Sequence, residues 1–185
     1  MLYTRKGDNG TTKTFGCDQR ISKSSIIAEA LGALDEANSF LGLARARTEG
    51  KSFEIGKKKM DFANLILDAQ QNLFIVQAEV AGSAMSITAE KIKEIESIID
   101  GIEKILPPIK NFFISGATKD GAVLDITRTI VRRAERRVIA AKEEGKITVS
   151  AESLSYLNRL SSLLYALARI SSHLEGVEEI KPDYK

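Results

Sequence analysis

The amino-acid sequence predicts an all-α protein, a bundle of five helices that follows an irregular N-terminal arm. Five long segments carry apolar residues at the three- and four-residue spacing of an α-helix. No segment shows a convincing alternation of apolar and polar residues, which would indicate a half-buried strand. The three prolines lie at positions 107, 108 and 182, so most of the chain is free of residues that break helices.

Local signals bound each predicted helix. The first helix begins near Ser24, after a glycine- and threonine-containing arm without helical periodicity, and ends before Gly50. The other four are predicted over about 53–80, 89–106, 118–144 and 151–174. Thr88 and Ser150 are the candidate N-caps of the third and fifth helices, and the prolines at 107 and 108 end the third. The charged tail after position 175 is expected to fray.

Length and composition fit one domain, with an arm over 1–23, a helical bundle over 24–175 and a tail over 176–185. The 27 Lys and Arg residues nearly balance the 25 Asp and Glu residues, which argues against a general nucleic-acid binder. The sequence lacks a run of membrane-span length and a signal-peptide pattern, so we expect a soluble cytoplasmic protein. The single cysteine, Cys17, excludes an intrachain disulfide and suits a reducing compartment.

The fourth helix carries a coherent polar face. At about 100° per residue, one side of this helix holds a set of charged residues next to the apolar stripe. This set consists of Arg128, Arg132, Glu135 and Arg136. Arg133 and Arg137 point further round, to the other margin of the stripe. The face is either a solvated basic surface or a cradle for an anion such as a phosphate, since guanidinium groups bind phosphate oxygens bidentately.

Polar residues on two other helices suggest contacts beyond the core. Asn158 lies off the leucine stripe of the fifth helix, where it is either exposed or bonded to a partner. On the first helix, Asp35 lies beside Gly32 and in line with Gly42. Glycine inside a helix costs up to about 1 kcal/mol relative to alanine, so the two glycines suggest close approach by another element. That element is either a neighbouring subunit or another helix of the same chain.

The N-terminal arm combines glycines with hydroxyl and cationic side chains, which suits a polyphosphate, although a flexible arm would have the same composition. It does not have the spacing of a Walker A loop, because Lys13 is separated from Gly10 by two threonines. His173, the only histidine, is interpreted as structural, and Cys17 is not expected to be a reactive thiol because no partner is visible.

Several blocks of sequence resemble the propanediol-utilisation type of ATP:cob(I)alamin adenosyltransferase over nearly the whole chain. They are YTRKGDNGTT at 3–12 followed by RISK at 20–23, GALDEANS at 32–39, TRTIVRRAER at 127–136 and YLNRLS at 156–161. Their order and spacing are similar to those of the family. The chain departs from the family pattern where Ser115-Gly116-Ala117 replaces Pro-Gly-Gly, where Gln19 is inserted, and where Cys17 replaces a common glycine.

The resemblance implies a five-helix bundle with a ferritin-like up-and-down core, assembled as a homotrimer with each site between two subunits. It implies transfer of the 5′-deoxyadenosyl group from ATP to cob(I)alamin, giving adenosylcobalamin and triphosphate. Mg²⁺ would be bound mainly through the ATP phosphates, with no protein ligand assigned. It suggests a reductase and a cobalamin-dependent enzyme as further partners. Neither a nucleic acid nor a membrane is expected as a partner. The alternatives are a regulatory nucleotide-binding bundle without transferase activity and a purely structural helical oligomer.

The resemblance also assigns site residues. The implied ATP contacts are Thr4, Arg5, Lys6, Gly7, Thr12, Lys13, Lys23, Arg132, Arg133, Ala134, Glu135, Arg136 and Asn158. Asp35 and Arg128 match a pair that joins adjacent subunits at the cobalamin pocket. Phe112 matches an aromatic residue that displaces the lower axial base of the corrinoid. The catalytic residues implied are Arg132, Asp35 and Arg128.

Overall fold

A computed structural model of the protein describes residues 3–14 and 20–184. Five α-helices make up most of this part of the chain, as predicted. They are α1 (Ile26–Arg47), α2 (Phe62–Val80), α3 (Ala89–Glu103), α4 (Lys119–Glu143) and α5 (Ala151–Leu174). Hydroxyl or carboxyl side chains cap four of them, and Ser150 accepts a hydrogen bond from the backbone N–H of Ser153 at the start of α5. Thr88 precedes α3 as predicted but makes no side-chain capping bond.

The helices pack around one apolar core. α1 contacts α2 and α4, while α5 contacts α4 and α3. Each helix contributes aliphatic side chains that are fully or almost fully buried, including Leu41, Leu73, Ile102, Leu124 and Leu164. Burial of apolar surface on this scale is the main force that holds such helices together. None of the helices in the described ranges has the length and apolar character that crossing a membrane requires.

The prediction that the chain has no strands was wrong, because two short antiparallel hairpins flank α1. The first joins β1 (Thr11–Lys13) to β2 (Arg20–Ser22) in the N-terminal arm. The second joins β3 (Ser52–Ile55) to β4 (Lys58–Asp61). Strands of three or four residues are too short to show an alternating pattern above background.

The second hairpin also corrects the start of α2, which begins at Phe62 and not near Phe53. Phe53 and Met60 are paired across the hairpin and both are buried, while Gly56 has a φ of 61° in the turn between the strands. Asp61 then caps α2, accepting a hydrogen bond of 3.0 Å from the backbone N–H of Asn64. The apolar residues assigned to an early helical turn are therefore cross-strand partners.

The ends of α3 and of the chain also differ from the prediction. α3 ends at Glu103, three residues before the predicted end at Leu106. The segment after α5, up to residue 184, was expected to fray. Instead, the carbonyl of Ile180 accepts a hydrogen bond of 2.8 Å from the backbone N–H of Ile114, in the loop between α3 and α4. We call residues 177–184 the C-terminal tail and residues 107–116 the α3–α4 loop.

Candidate functional site

A cleft of about 1080 Å³ opens between α3, α4 and α5. The end of α3, the α3–α4 loop, α4, α5 and the C-terminal tail all contribute to its lining. Three residues that the sequence assigned to a site lie there together: Phe112, Arg128 and Arg132. Ligand pockets are generally concave and mostly apolar with a few placed polar groups, and this cleft has that character.

The α3–α4 loop supplies an apolar wall. The side chain of Phe112 is 79% exposed, and those of Ile109 and Ile114 are about half exposed. Exposing three large apolar side chains on one loop is costly in water, which indicates that the loop binds something apolar. Ser115, the first residue of the altered loop sequence, also lines the cleft, and Gly116 follows with a φ of 105°.

Arg128 is held at the floor of the cleft by neighbours within the chain. Its Nε lies 3.0 Å from Oδ1 of Asp125, one turn earlier on α4. Its guanidinium carbon is 5.7 Å from the ring centroid of Tyr165 on α5, at cation–π distance. These contacts fix the direction of the arginine, which faces α5 and the cleft.

Arg132 lies one turn further along α4, where it is exposed and lines the cleft. Beside it, Glu135 accepts a hydrogen bond of 3.2 Å from the amide nitrogen of Asn158, which joins α4 to α5. The amide oxygen of Asn158 in turn accepts a bond of 2.9 Å from Arg159. Asn158 is thus exposed and also has partners at both ends of its amide, so α5 supplies a second polar group next to the arginine face.

The other arginines of α4 divide between two sides of the helix. Arg133 forms an ion pair with Glu36 on α1, and Nε of Arg137 lies 3.3 Å from Oε1 of Glu29, also on α1. The structure therefore does not bring Arg133 together with Arg132. Ala134, another expected ATP contact, is fully buried in the core, whereas Arg136 is exposed.

The N-terminal arm is a hairpin held by a residue that the sequence analysis did not single out. Arg20 on β2 donates from Nε to Oγ1 of Thr11 over 2.7 Å and from Nη2 to the carbonyl of the same residue over 2.8 Å. Nη2 also contacts the carbonyl of Lys6. One guanidinium thus fixes both β1 and the preceding turn. Its position in the RISK block was the only signal in the sequence.

The glycines of the arm allow a tight backbone arrangement. A Cβ at Gly7 would lie 3.1 Å from Nζ of Lys23, so glycine lets this ammonium group approach the turn. Gly10 has a φ of 77°, and Arg5 has a φ of 58°, which is uncommon for a residue with a side chain. The side chains of Thr4, Arg5 and Lys6 are exposed, and Lys13 is exposed at the end of β1. The arm therefore presents several exposed cationic side chains.

Asp35 and Gly32 lie on an exposed face of α1. A Cβ at Gly32 would meet no atom within 4 Å, whereas a Cβ at Gly42 would lie 3.4 Å from the side-chain nitrogen of Gln70 on α2. Gly42 is thus accounted for by a helix crossing within the chain, and Gly32 is not. Asp35 forms no ion pair with Arg128 in the single chain, where Arg128 pairs with Asp125.

The remaining sequence candidates give little. Cys17 and the inserted Gln19 lie outside the described residues. His173 is exposed in the last turn of α5. Over residues 3–14 and 20–184, no group of three or more His, Cys, Asp or Glu side chains could hold a metal ion.

Residues 2–171 match the family described as cobalamin adenosyltransferase. The chain belongs to the cobalamin adenosyltransferase family. A corrinoid adenosyltransferase of Bacillus subtilis (strain 168) is 36% identical over 97% of this chain and 91% of its own length. One from Citrobacter freundii is 35% identical over 98% of this chain and 97% of its own length.

Solved structures show the same fold in this family. A variant of the PduO-type ATP:corrinoid adenosyltransferase from Lactobacillus reuteri, complexed with cobalamin and ATP, superimposes with a TM-score of 0.87. The two proteins are 26% identical, and the match covers 100% of this chain and 97% of the other. The chain therefore shares its overall fold with this cobalamin adenosyltransferase.

Proposed function

We propose that this protein transfers the 5′-deoxyadenosyl group of ATP to cob(I)alamin, forming adenosylcobalamin and triphosphate. The observation that carries the proposal is the cleft in which the exposed Phe112 lies with Arg128 and Arg132. An apolar wall facing a set of fixed cations suits a substrate pair in which one member is a large macrocycle and the other a polyanion. The related enzyme from Lactobacillus reuteri, in its complex with cobalamin and ATP, supports this pairing.

The corrinoid is proposed to occupy the cleft against the α3–α4 loop. The volume of the cleft, about 1080 Å³, is as large as the largest usual ligand pockets, which suits a ligand of the size of a corrin ring. Phe112 would pack on the lower face of the ring and exclude the lower axial base. Loss of that ligand lowers the energy of the reduced cobalt and so favours Co(I), the nucleophilic state. The cleft walls then supply orientation, while the cobalt supplies the electron pair.

ATP is proposed to lie between the N-terminal arm and the arginine face. Thr4 to Gly7, Thr12, Lys13 and Lys23 of the arm would contact the nucleotide, together with Arg132, Glu135, Arg136 and Asn158; Arg133 and Ala134 are left out because one pairs with Glu36 on α1 and the other is buried in the core. Cobalt(I) attacks the 5′ carbon of the ribose, a Co–C bond forms, and the C–O bond to triphosphate breaks. No general base is needed, because the Co(I) nucleophile has no proton to lose. Arg132, Arg136 and Lys23 would stabilise the charge that accumulates on the departing triphosphate.

Mg²⁺ is proposed to accompany ATP, bound mainly by its phosphate oxygens. The protein groups nearest to the arginine face fit such an ion, because the carboxylate of Glu135 and the amide oxygen of Asn158 are the hard oxygen ligands that Mg²⁺ prefers. Both residues lie on the surface between α4 and α5 and are already joined to each other. When bound, the ion would neutralise part of the triphosphate charge.

The active form is proposed to be a homotrimer in which Asp35 of one subunit pairs with Arg128 of the next. The support is the open space at Gly32, the exposure of Asp35 and the absence of an Asp35–Arg128 pair within the single chain. We also propose that the chain forms a single domain with an up-and-down helix order and that the protein is cytoplasmic. Its product would pass to a cobalamin-dependent enzyme. A reductase would supply the reduced cobalamin.

The direct test is to mix the purified protein with ATP, Mg²⁺ and chemically reduced cobalamin, and to follow the absorbance change as the Co–C bond forms. We expect adenosylcobalamin, identified by its sensitivity to light, and one triphosphate per product. Tight ATP binding without product would favour the regulatory alternative. Absence of ATP binding would contradict both readings and leave a structural oligomer.

A further inference from the structure

A buried arginine joins three parts of the cleft wall. Arg169 on α5 is only 5% exposed, and its Nε forms an ion pair with Glu179 of the C-terminal tail. Its guanidinium carbon lies 4.2 Å from the ring centroid of Phe113 in the α3–α4 loop. A charged group is rarely buried unless it is paired, so this arginine is placed by its contacts with the tail and the loop.

The tail and the loop are also bonded to each other. The backbone N–H of Ile114 donates to the carbonyl of Ile180 over 2.8 Å. The tail runs along the cleft, and Glu179, Lys181 and Tyr184 of the tail line the cleft. The tail therefore forms a wall of the cleft next to the loop that carries Phe112.

Electrostatics make the pair with Arg169 decisive for the position of the tail. Burial raises the pKa of the Glu179 carboxyl, and the charge of Arg169 offsets part of that rise. Removal of one partner would leave the other charge buried and unpaired. That arrangement costs more free energy than the burial of the intact pair. Nη1 of Arg169 is buried and has no hydrogen-bond partner within the described part of the chain, so the ion pair with Glu179 is the main compensation for burying this charge.

We propose that Arg169 is a positioning residue that fastens the C-terminal tail, through Glu179, as a wall of the corrinoid cleft. The identity of the ligand in this proposal rests on the function proposed above. None of the proposed ATP contacts lies on the tail, so we expect loss of the fastening to weaken corrinoid binding more than nucleotide binding. The tail thus contributes to corrinoid affinity without contacting the reacting atoms.

The kinetic test compares Glu179→Gln and Arg169→Met with the matched control Glu178→Gln. Glu178 is the adjacent carboxylate and is exposed. We expect both test variants to raise KM for cob(I)alamin by about tenfold or more, while KM for ATP and kcat change less than about twofold. The control should behave like the wild type. Equal increases in KM for both substrates, or no increase in either, would overturn the proposal.

A second measurement needs no turnover. Carboxypeptidase should remove the tail of Glu179→Gln faster than that of the wild type or of Glu178→Gln, and cob(II)alamin should slow the removal from the wild type. If Arg169→Met fails to fold, Glu179→Gln decides the matter. Digestion of the wild type, Glu178→Gln and Glu179→Gln at the same rate would refute the fastening. A wild type without transferase activity that still showed the digestion difference would refute the proposed function and support the fastening itself.

Discussion

The arginines of α4 have different partners although they are close neighbours in sequence. Arg132 faces the cleft, while Arg137 lies 3.3 Å from a carboxylate of α1. The difference follows from helical geometry, because five residues rotate the side-chain direction by about 140°. A charge that faces a forming triphosphate can stabilise a transition state, whereas a charge in an exposed ion pair contributes little even to stability.

We therefore expect Arg132→Ala to lower kcat/KM by about 100- to 1000-fold, the effect of removing one preorganised donor to a developing charge. Arg137→Ala, the matched control, should change kcat/KM by less than about twofold, because it breaks only an exposed pair. Steady-state kinetics with cob(I)alamin and ATP measures both. Similar, small effects of the two substitutions would contradict the assignment of the helix faces.

Tyr156 is a buried residue whose ionisation is coupled to folding. It is 2% exposed, and its hydroxyl accepts a hydrogen bond of 3.1 Å from the amide of Asn72. Burial raises the pKa of Tyr156 to about 12, an effect that the bond from Asn72 reduces in part. In the unfolded chain a tyrosine loses its proton near pH 10, so the unfolded state releases the proton first as the pH rises.

This ordering predicts a loss of stability in alkali. The contribution of Tyr156 is complete below about pH 10 and is lost as the pH rises to about 12, for a total of roughly 3 kcal/mol. Urea unfolding at several pH values should show this slope in the wild type and a smaller slope in Tyr156→Phe. Tyr184→Phe, which changes an exposed tyrosine, is the control and should keep the slope of the wild type. An identical slope in Tyr156→Phe would show that other groups cause the dependence.

At the scale of elements, the sequence predicts the long helices well and the short hairpins poorly. A helix of 19 residues or more, such as α2, repeats its apolar spacing several times, so the signal exceeds local variation. The hairpin of β3 and β4 has strands of four residues, and its stability depends on packing against distant residues. One such contact joins Ile55 to Gly101 on α3, far along the chain, and no local pattern reveals it.

The site shows the same division. The resemblance of sequence blocks singled out Phe112, Arg128 and Arg132, and the structure places all three at one cleft. The pairing of Arg169 with Glu179 depends on how the tail returns to α5, which local sequence does not specify. A buried arginine and an acidic residue in a charged tail look like ordinary surface residues until the tertiary contacts are known.

The packing of the β3–β4 hairpin on α3 predicts the effect of one methyl group. A Cβ at Gly101 would lie 2.6 Å from Cγ2 of Ile55 and 2.7 Å from its Cδ1, closer than carbon atoms approach. Gly101→Ala should therefore lower the free energy of unfolding by about 1–3 kcal/mol, although alanine is the better helix former by up to about 1 kcal/mol. Denaturant unfolding checks this. In an Ile55→Ala background the same substitution should be neutral or stabilising, and a stable Gly101→Ala single variant would contradict the close contact.

At the scale of the whole molecule, α1 and α4 leave apolar side chains exposed on the single chain. Leu43 on α1 and Ile126 on α4, two helices that pack together, are both about half exposed. Gly32 and Asp35 lie exposed on α1 as well. Exposed apolar side chains on two helices that pack together, and a helical glycine with open space above it, are both typical of a surface that another subunit covers.

Gly32→Leu tests whether a subunit covers this surface. Within one chain the new side chain meets no atom within 4 Å of its Cβ, and leucine favours helix over glycine by close to 1 kcal/mol, so folding should be unaffected or improved. If a second subunit approaches Gly32, the side chain will separate the subunits, and sedimentation should show lighter species with normal helix content and little transferase activity. Ala151→Leu, an exposed position at the start of α5, should keep the assembly and the activity of the wild type. An unchanged trimer with full activity in Gly32→Leu would mean that subunits meet on another face, and the proposed pairing of Asp35 with Arg128 would then have to be abandoned.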